Sequence, residues 1–208
     1  MDKKLAIQQA FSLVSNGAPA VMALLSFRLL NQTLGVDGFG LYILITAAFG
    51  IFIQLRLGVI SAAFVKLASG KQYSSELTGS AWITALVIST VFTLIICITS
   101  LVSSIQSSAL LPLALLAFAT VPSFIATIVL QSEENFKGIA IIRLVESGLF
   151  LLGIWFFQSQ LTEVSNALWL LLMSSGLSAV LVILLGWSKL SCIRSATRAK
   201  TASIWEFG

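Results

Sequence analysis

Four charged residues lie inside long apolar stretches of the chain and are its first candidates for chemistry: Arg28, Arg56, Arg143 and Glu146. A charge at membrane depth is costly, usually faces protein or water, and by default marks a functional site. Arg143 and Glu146 are three residues apart, so a single helix places them close enough to pair. We therefore predict a structural ion pair between these two side chains.

Arg56 is the most deeply placed arginine, about 12 Å from the inner end of its apolar stretch. On an ideal helix it shares a face with aromatic and polar residues, namely Tyr42, Thr46, Phe49 and Phe52. Such a face predicts contact with an aqueous cavity or an amphipathic ligand, and the alternative is an arginine that caps backbone carbonyls or lipid headgroups. Gln54 points about 160° away from Arg56, so we leave it out of this site.

Arg28 lies about six residues from the outer end of the first apolar stretch, so it either reaches the headgroup layer or faces a cavity. Nearly opposite Arg28 on the same helix runs a stripe of mostly small polar residues: Gln8, Ser12, Ser15, Asn16, Pro19 and Ser26. A stripe of this kind either packs against another helix or lines a wet cavity.

The residue types exclude most covalent chemistry. The chain has no histidine, which removes imidazole metal sites and Ser-His triads. Cys97 and Cys192 have no metal-ligand spacing, and no nucleophile is accompanied by a base. The sequence therefore predicts no enzyme, no cofactor and no metal site.

These residues must be positioned by membrane helices. Of 208 residues, 58% are hydrophobic and 10% are charged, against about 25% charged in soluble proteins. Uninterrupted apolar runs predict six spans, at about Ile7 to Leu34, Leu41 to Phe64, Ala81 to Val102, Ala109 to Leu130, Gly138 to Phe157 and Ala167 to Trp187. We therefore expect an all-α polytopic membrane helix bundle of about six transmembrane helices.

The loop charges predict the orientation of these spans. Nine basic residues fall on one side: Lys3, Lys4, Lys66, Lys71, Lys137, Lys189, Arg194, Arg198 and Lys200. The opposite loops contain only Asp37 and Glu163 as charged residues, so the positive-inside rule places both termini in the cytoplasm. Topology thus explains the net charge of +4, and no nucleic-acid partner is expected. Residues 1–188 form the predicted lobe, and residues 189–208 form a cytoplasmic basic segment.

The fourth span carries two prolines and a row of small polar side chains. Pro112 and Pro122 mark positions where the helix can kink. The row consists of Thr120, Ser123, Thr127 and Gln131. Hydroxyls beside a proline can satisfy the backbone carbonyls that it frees, so we expect this row to hold helices together.

Two short stretches resemble a known family. Leu34 to Tyr42 reads LGVDGFGLY, which is similar to the junction between the first two helices of polysaccharide-type lipid flippases. Leu55 to Val59 reads LRLGV, where many such proteins read DLGL. These flippases belong to the multidrug/oligosaccharidyl-lipid/polysaccharide superfamily, and the chain most resembles the Wzx-type O-antigen flippases.

The resemblance implies a two-lobed transporter that flips an undecaprenyl-pyrophosphate-linked oligosaccharide across the bacterial inner membrane, for O-antigen or other surface polysaccharide synthesis. It implies that Arg28 and Arg56 line a central cavity and engage pyrophosphate, with Asn16 as a further polar contact. Its expected partners are the lipid-linked oligosaccharide and membrane lipids, and it allows for a polysaccharide polymerase and glycosyltransferases. Because the family has about twelve spans, the chain resembles an amino-terminal half, an incomplete flippase.

Two other hypotheses fit the residues. The chain could be a six-span transporter that acts as a homodimer, in which a second copy replaces the second lobe. It could also be a non-transporting membrane scaffold, in which the buried charges only hold helices together. The scaffold hypothesis predicts that replacing Arg143 or Glu146 harms folding, whereas replacing Arg56 has no measurable effect.

Overall fold

The computed structural model describes residues 3–68, 75–102, 107–196, 201–202 and 204–205. Throughout this described part the regular structure is helical: α1 Lys3–Ala68, α2 Ser75–Val102, α3 Ser107–Ala119, α4 Val121–Ser132, α5 Phe136–Phe156 and α6 Val164–Leu184, with 3-10 turns at Gln158–Gln160 and Leu190–Ser195. Five helical stretches of the described residues are long and apolar enough to cross a membrane. The all-helical membrane bundle predicted from composition is confirmed.

The first of these stretches is long enough for two spans, and it folds at Gly35. Asn16–Ser61 has 46 residues, whereas about 20 suffice to cross a bilayer. Gly35 has φ 69° and ψ 177°, a backbone conformation that glycine alone adopts readily. The ring centroids of Phe27 and Phe39 are 6.1 Å apart, although a straight helix would separate these residues by about 18 Å. We call residues 3–34 the first arm of α1 and residues 36–68 its second arm.

The first arm runs beside α5 in the same direction. Near its start, the Asn16 side chain accepts a hydrogen bond from Arg143. Further along, the Ser147 hydroxyl oxygen lies 3.4 Å from the sulfur of Met22. Sequence numbers thus rise together on the two helices, as they must if both cross the membrane from the same side.

The second helix runs opposite to the third. The Ser89 hydroxyl donates to the Ala117 carbonyl at 3.0 Å, and the Thr93 hydroxyl donates to the Ala114 carbonyl at 3.5 Å. Rising numbers on α2 therefore meet falling numbers on α3. The described residues contain five apolar helical stretches, the first of which folds at Gly35 into two arms, and the six predicted spans overlap these stretches.

The break in the fourth predicted span falls at Thr120, which separates α3 from α4 two residues before Pro122. Pro112, in contrast, lies inside α3 without dividing it. The hydroxyls of Ser123 and Ser178 are 3.4 Å apart and join α4 to α6. The helix therefore breaks beside Pro122, as predicted, and not at Pro112. Of the predicted row of hydroxyls, Ser123 joins two helices, whereas Thr127 bonds within α4.

The segment after α6 packs against α2. A Cβ atom added to Gly79 would overlap the carbonyl oxygen of Cys192, so only glycine allows this approach. The indole nitrogen of Trp82 donates to the Ser188 carbonyl at 2.8 Å, and the Ile204 side chain is fully buried among core residues of α2 and α4. The described part of the predicted basic segment is therefore attached to the bundle, while Lys71, Arg198 and Lys200 lie outside the described residues.

Candidate ligand groove

A cavity of about 580 Å³ lies between the two arms of α1, with the end of α3, α5 and α6 forming its other walls. Its polar lining comes from several helices: Tyr42, Thr46, Gln54, Thr120, Glu146 and Ser175. The remaining wall is apolar and includes the rings of Phe27 and Phe150. An apolar cavity of this size with a few polar groups is typical of a ligand site.

A second cavity of about 320 Å³ adjoins the first between the first arm, α5 and α6. The two cavities share Phe27, Glu146, Phe150 and Leu171. The second one also has Pro19, Ser26, Arg143 and Ser147 in its wall. We call the two cavities together the groove, and Glu146 lies where they meet.

The stripe predicted on the first span therefore has two described members, Pro19 and Ser26, on the groove wall. Ser26 is 1% exposed, and its hydroxyl has no hydrogen-bond partner among the described residues. The side chains of Gln8, Ser12 and Ser15 lie outside the described ones. The outer half of the stripe thus borders a cavity.

Arg56 does not line the groove in this conformation, because its side chain is 0% exposed. Its Nη1 donates to the Ala117 carbonyl at 3.2 Å and its Nη2 to the Thr120 hydroxyl at 3.1 Å. The guanidinium also lies 5.4 Å from the ring centre of Phe52 and 4.5 Å from that of Phe124. This geometry matches the alternative of an arginine that caps a backbone carbonyl. Contact between Arg56 and a pyrophosphate stays a prediction, and it requires that the Arg56 side chain moves out of this buried position.

Gln54 lines the groove, although it points away from Arg56 on the helix and was therefore not predicted to belong to the site. Its side chain is exposed and forms part of the wall of the cavity between the arms. The same angular offset that separates it from Arg56 turns Gln54 outward when Arg56 packs against α3. The sequence signal for Gln54 was a lone amide side chain in an apolar helix. The sequence alone does not say whether the face with Gln54 or the face with Arg56 packs against a neighbouring helix.

The other two predicted binding residues are also placed by the structure. Arg28 is exposed and contributes to neither wall of the groove. Asn16 is exposed as well, and its side-chain oxygen accepts the hydrogen bond from Arg143, which does line the groove. The structure therefore brings Asn16 to the groove edge through Arg143, and it does not bring Arg28, Arg56 and Asn16 together.

The predicted ion pair between Arg143 and Glu146 is not formed. Of the described residues, Lys189 and Glu133 form a salt bridge at 3.8 Å, and Arg143 and Glu146 do not. Glu146 Oε1 instead accepts a hydrogen bond from the Ser175 hydroxyl at 2.7 Å. Neighbouring helices offer each charge its own partner, Asn16 for Arg143 and Ser175 for Glu146, and both side chains border the groove.

The groove combines a carboxylate, a guanidinium, hydroxyls, an amide and aromatic rings. Carboxylates and amides bind hydroxyl and ammonium groups, while a guanidinium binds phosphate or carboxylate oxygens. The described residues contain no cluster of three metal-ligating side chains. The arrangement is therefore suited to holding a polar, charged group between apolar helices.

The chain matches no protein-family model, and no curated protein and no solved structure shows significant similarity to it. The multi-pass helical membrane fold is what the structure establishes.

Proposed function

We propose that the chain is a lobe of a transporter that flips an undecaprenyl-pyrophosphate-linked oligosaccharide across the bacterial inner membrane. In this proposal the oligosaccharide headgroup occupies the groove, while the polyprenyl tail stays in the surrounding lipid. The second lobe comes from another part of the assembly or from a second copy of the chain. A polysaccharide polymerase and glycosyltransferases act before or after it.

The observation that carries the proposal is the polar groove between the two arms of α1. Polar groups at membrane depth are costly unless they face protein or water. Gln54, Glu146 and Ser175 lie on three different segments, yet they converge on one cavity. A headgroup that crosses the bilayer needs hydrogen-bond partners at that depth, and these side chains supply them.

Apolar surface beside the groove fits the rest of such a substrate. The second arm has a further shallow cavity of about 630 Å³, lined mainly by small and aliphatic residues: Ala47, Gly50, Ile51, Gln54, Leu55, Gly58 and Val59. Gly50 and Gln54 belong to both this cavity and the one between the arms. An amphipathic lipid can therefore keep its headgroup in the groove and its chain along the second arm.

Glycolipid binding tests the proposal directly. The purified chain is placed in lipid nanodiscs, and its affinity for a fluorescent undecaprenyl-pyrophosphate-linked oligosaccharide is measured. Gly50→Trp inserts an indole into the groove. Gly148→Trp adds an indole on α5 at a position that does not line the groove. A Cβ atom added to either glycine would meet open space, so the variants form a matched pair.

We expect Gly50→Trp to weaken glycolipid binding at least about tenfold, while Gly148→Trp keeps it within about twofold. Equal binding by the two variants would remove the groove from the proposal. Binding no stronger than that of undecaprenol, which has no headgroup, would contradict glycolipid recognition altogether. If the reconstituted chain translocates the glycolipid, and its mass in detergent is that of a dimer, the functional unit is the homodimer.

A further inference from the structure

We propose that the part of the groove between Arg143 and Glu146 binds a group that carries an ammonium beside a phosphate. The inference rests on the proposed function, since it assigns part of the headgroup to part of the groove. It goes further by naming the charge pattern that this wall selects.

The first observation is that two opposite charges share one wall without pairing. Arg143 and Glu146 both border the 320 Å³ cavity, three residues apart on α5, yet they form no salt bridge. Opposite charges at this spacing attract each other across a helix surface. Both charges border the same cavity, so a ligand in it can place an opposite charge against each of them.

Glu146 supplies the site for the ammonium. Its Oε1 accepts one hydrogen bond, from Ser175, and no described cation lies within salt-bridge distance of the carboxylate. An ionised carboxylate accepts about four hydrogen bonds, so most of its capacity is unused. A ligand ammonium would provide both the missing charge and the missing donors.

Ser26 is the second and independent observation. Its hydroxyl is 1% exposed and without a partner among the described residues, and it belongs to the wall of the same cavity as Glu146. A buried hydroxyl without a partner costs free energy, so a ligand that bonds to it gains affinity. Ser26 faces Glu146 from the first arm, which gives the ammonium acceptors from two helices.

Arg143 supplies the site for the phosphate. One of its terminal nitrogens donates to Asn16, and a guanidinium has five N–H donors. The remaining donors can form paired bonds to phosphate oxygens, for which the planar guanidinium is well suited. Asn16 thus acts as a positioning residue, because it holds the guanidinium at the mouth of the cavity.

The simplest compounds that carry both charges close together are those in which two carbon atoms separate the ammonium from the phosphate ester oxygen. An unacetylated 2-amino sugar 1-phosphate has this arrangement, and so does the headgroup of an ethanolamine phospholipid. The rings of Phe27 and Phe150 on the shared wall fit either one, since aromatic faces attract cations and stack on sugars.

The test compares soluble probes that differ by one group. The full chain is placed in nanodiscs of phosphatidylcholine and phosphatidylglycerol, and binding of glucosamine 1-phosphate and N-acetylglucosamine 1-phosphate is measured. Acetylation removes the ammonium and keeps the phosphate. We expect glucosamine 1-phosphate to bind about tenfold more tightly, and Glu146→Gln to abolish that preference. Asp37→Asn, at the start of the second arm, removes an exposed carboxylate as the control and should keep the preference.

Ser26→Ala is a second variant in case Glu146→Gln does not fold. It should weaken glucosamine 1-phosphate binding about threefold and leave binding of the acetylated probe unchanged. Nanodiscs that contain phosphatidylethanolamine distinguish the two ligand sources. If native mass spectrometry shows that the chain retains phosphatidylethanolamine in preference to phosphatidylglycerol, the ligand is the phospholipid. If it shows no such retention while glucosamine 1-phosphate still binds more tightly than the acetylated probe, the ligand is the amino sugar.

Equal affinity for the two sugar phosphates in the unmodified chain would overturn the inference, as would a preference that survives in both Glu146→Gln and Ser26→Ala. Neither result affects the proposed function, which is tested separately by glycolipid binding of Gly50→Trp and Gly148→Trp and by comparison with undecaprenol. The two failures are therefore distinguishable.

Discussion

The Nη1 atom of Arg56 lies 3.2 Å from the carbonyl oxygen of Ala117, near the end of α3 where the fourth predicted span breaks. The hydroxyls of Ser89 and Thr120 donate to the same oxygen, at 3.0 and 3.3 Å. Side chains from the second arm of α1, from α2 and from the break itself therefore meet at one carbonyl. Arg56 thus joins the second arm of α1 to this break.

Arg56→Ala should destabilise the fold by about 2–5 kcal/mol, because it removes a large buried side chain together with its hydrogen bonds. Thermal unfolding in detergent measures the change. Glycolipid affinity of the folded fraction should stay within about twofold, since the guanidinium lies outside the groove. Normal stability with lost binding would instead place Arg56 in the binding site.

Thr120→Val should cost about 1–3 kcal/mol, because it leaves a buried charged donor of Arg56 without its acceptor. Thr127→Val is the matched control. The Thr127 hydroxyl donates within its own helix to the Ser123 carbonyl at 2.8 Å, so its loss should cost less. Chemical unfolding of both variants tests the difference, and equal losses would refute the bond between Arg56 and Thr120.

Gly35→Ala should destabilise the chain by about 1–3 kcal/mol, because an L residue is strained at the φ of 69° found there. Gly40→Ala changes a helical glycine with open space around it, and should be neutral or stabilising. The unfolding midpoints of the two variants provide the comparison. A harmless Gly35→Ala would mean that the fold between the two arms does not depend on this residue.

Gly79→Ala should displace the segment after α6, because the added methyl group would overlap the Cys192 carbonyl. In a Cys97→Ser background, the rate of maleimide labelling at Cys192 reports the displacement. We expect labelling to become several-fold faster, since Cys192 is half-buried in the unmodified chain. An unchanged rate would show that the contact between α2 and this segment is not needed to hold it.

The spans could be predicted from the sequence because membrane thickness fixes how long an apolar run must be. Gly35 lay in the predicted loop between the first two spans, and the break near Pro122 followed from the geometry of proline. These features depend on local chemistry, which a single sequence displays directly.

The groove could not be predicted to the same extent, because it depends on which face of each helix meets a neighbour. Arg56 and Gln54 lie on opposite faces of one helix, and packing against α3 buried the first and exposed the second. Arg143 and Glu146 were correctly placed on one helix. Their partners, however, are Asn16 and Ser175, which are 127 and 29 residues away along the chain.

The proposed function requires that a lipid-linked oligosaccharide headgroup lies in the groove between the two arms. A photo-crosslinking amino acid at Gln54 tests this placement in membranes that contain the fluorescent undecaprenyl-pyrophosphate-linked oligosaccharide. The same amino acid at Val87, which is exposed on α2 away from the groove, is the control. We expect a glycolipid crosslink from position 54 that exceeds the one from position 87 at least about tenfold. Equal crosslinking from both positions, or a crosslink from position 87 alone, would contradict the proposed function.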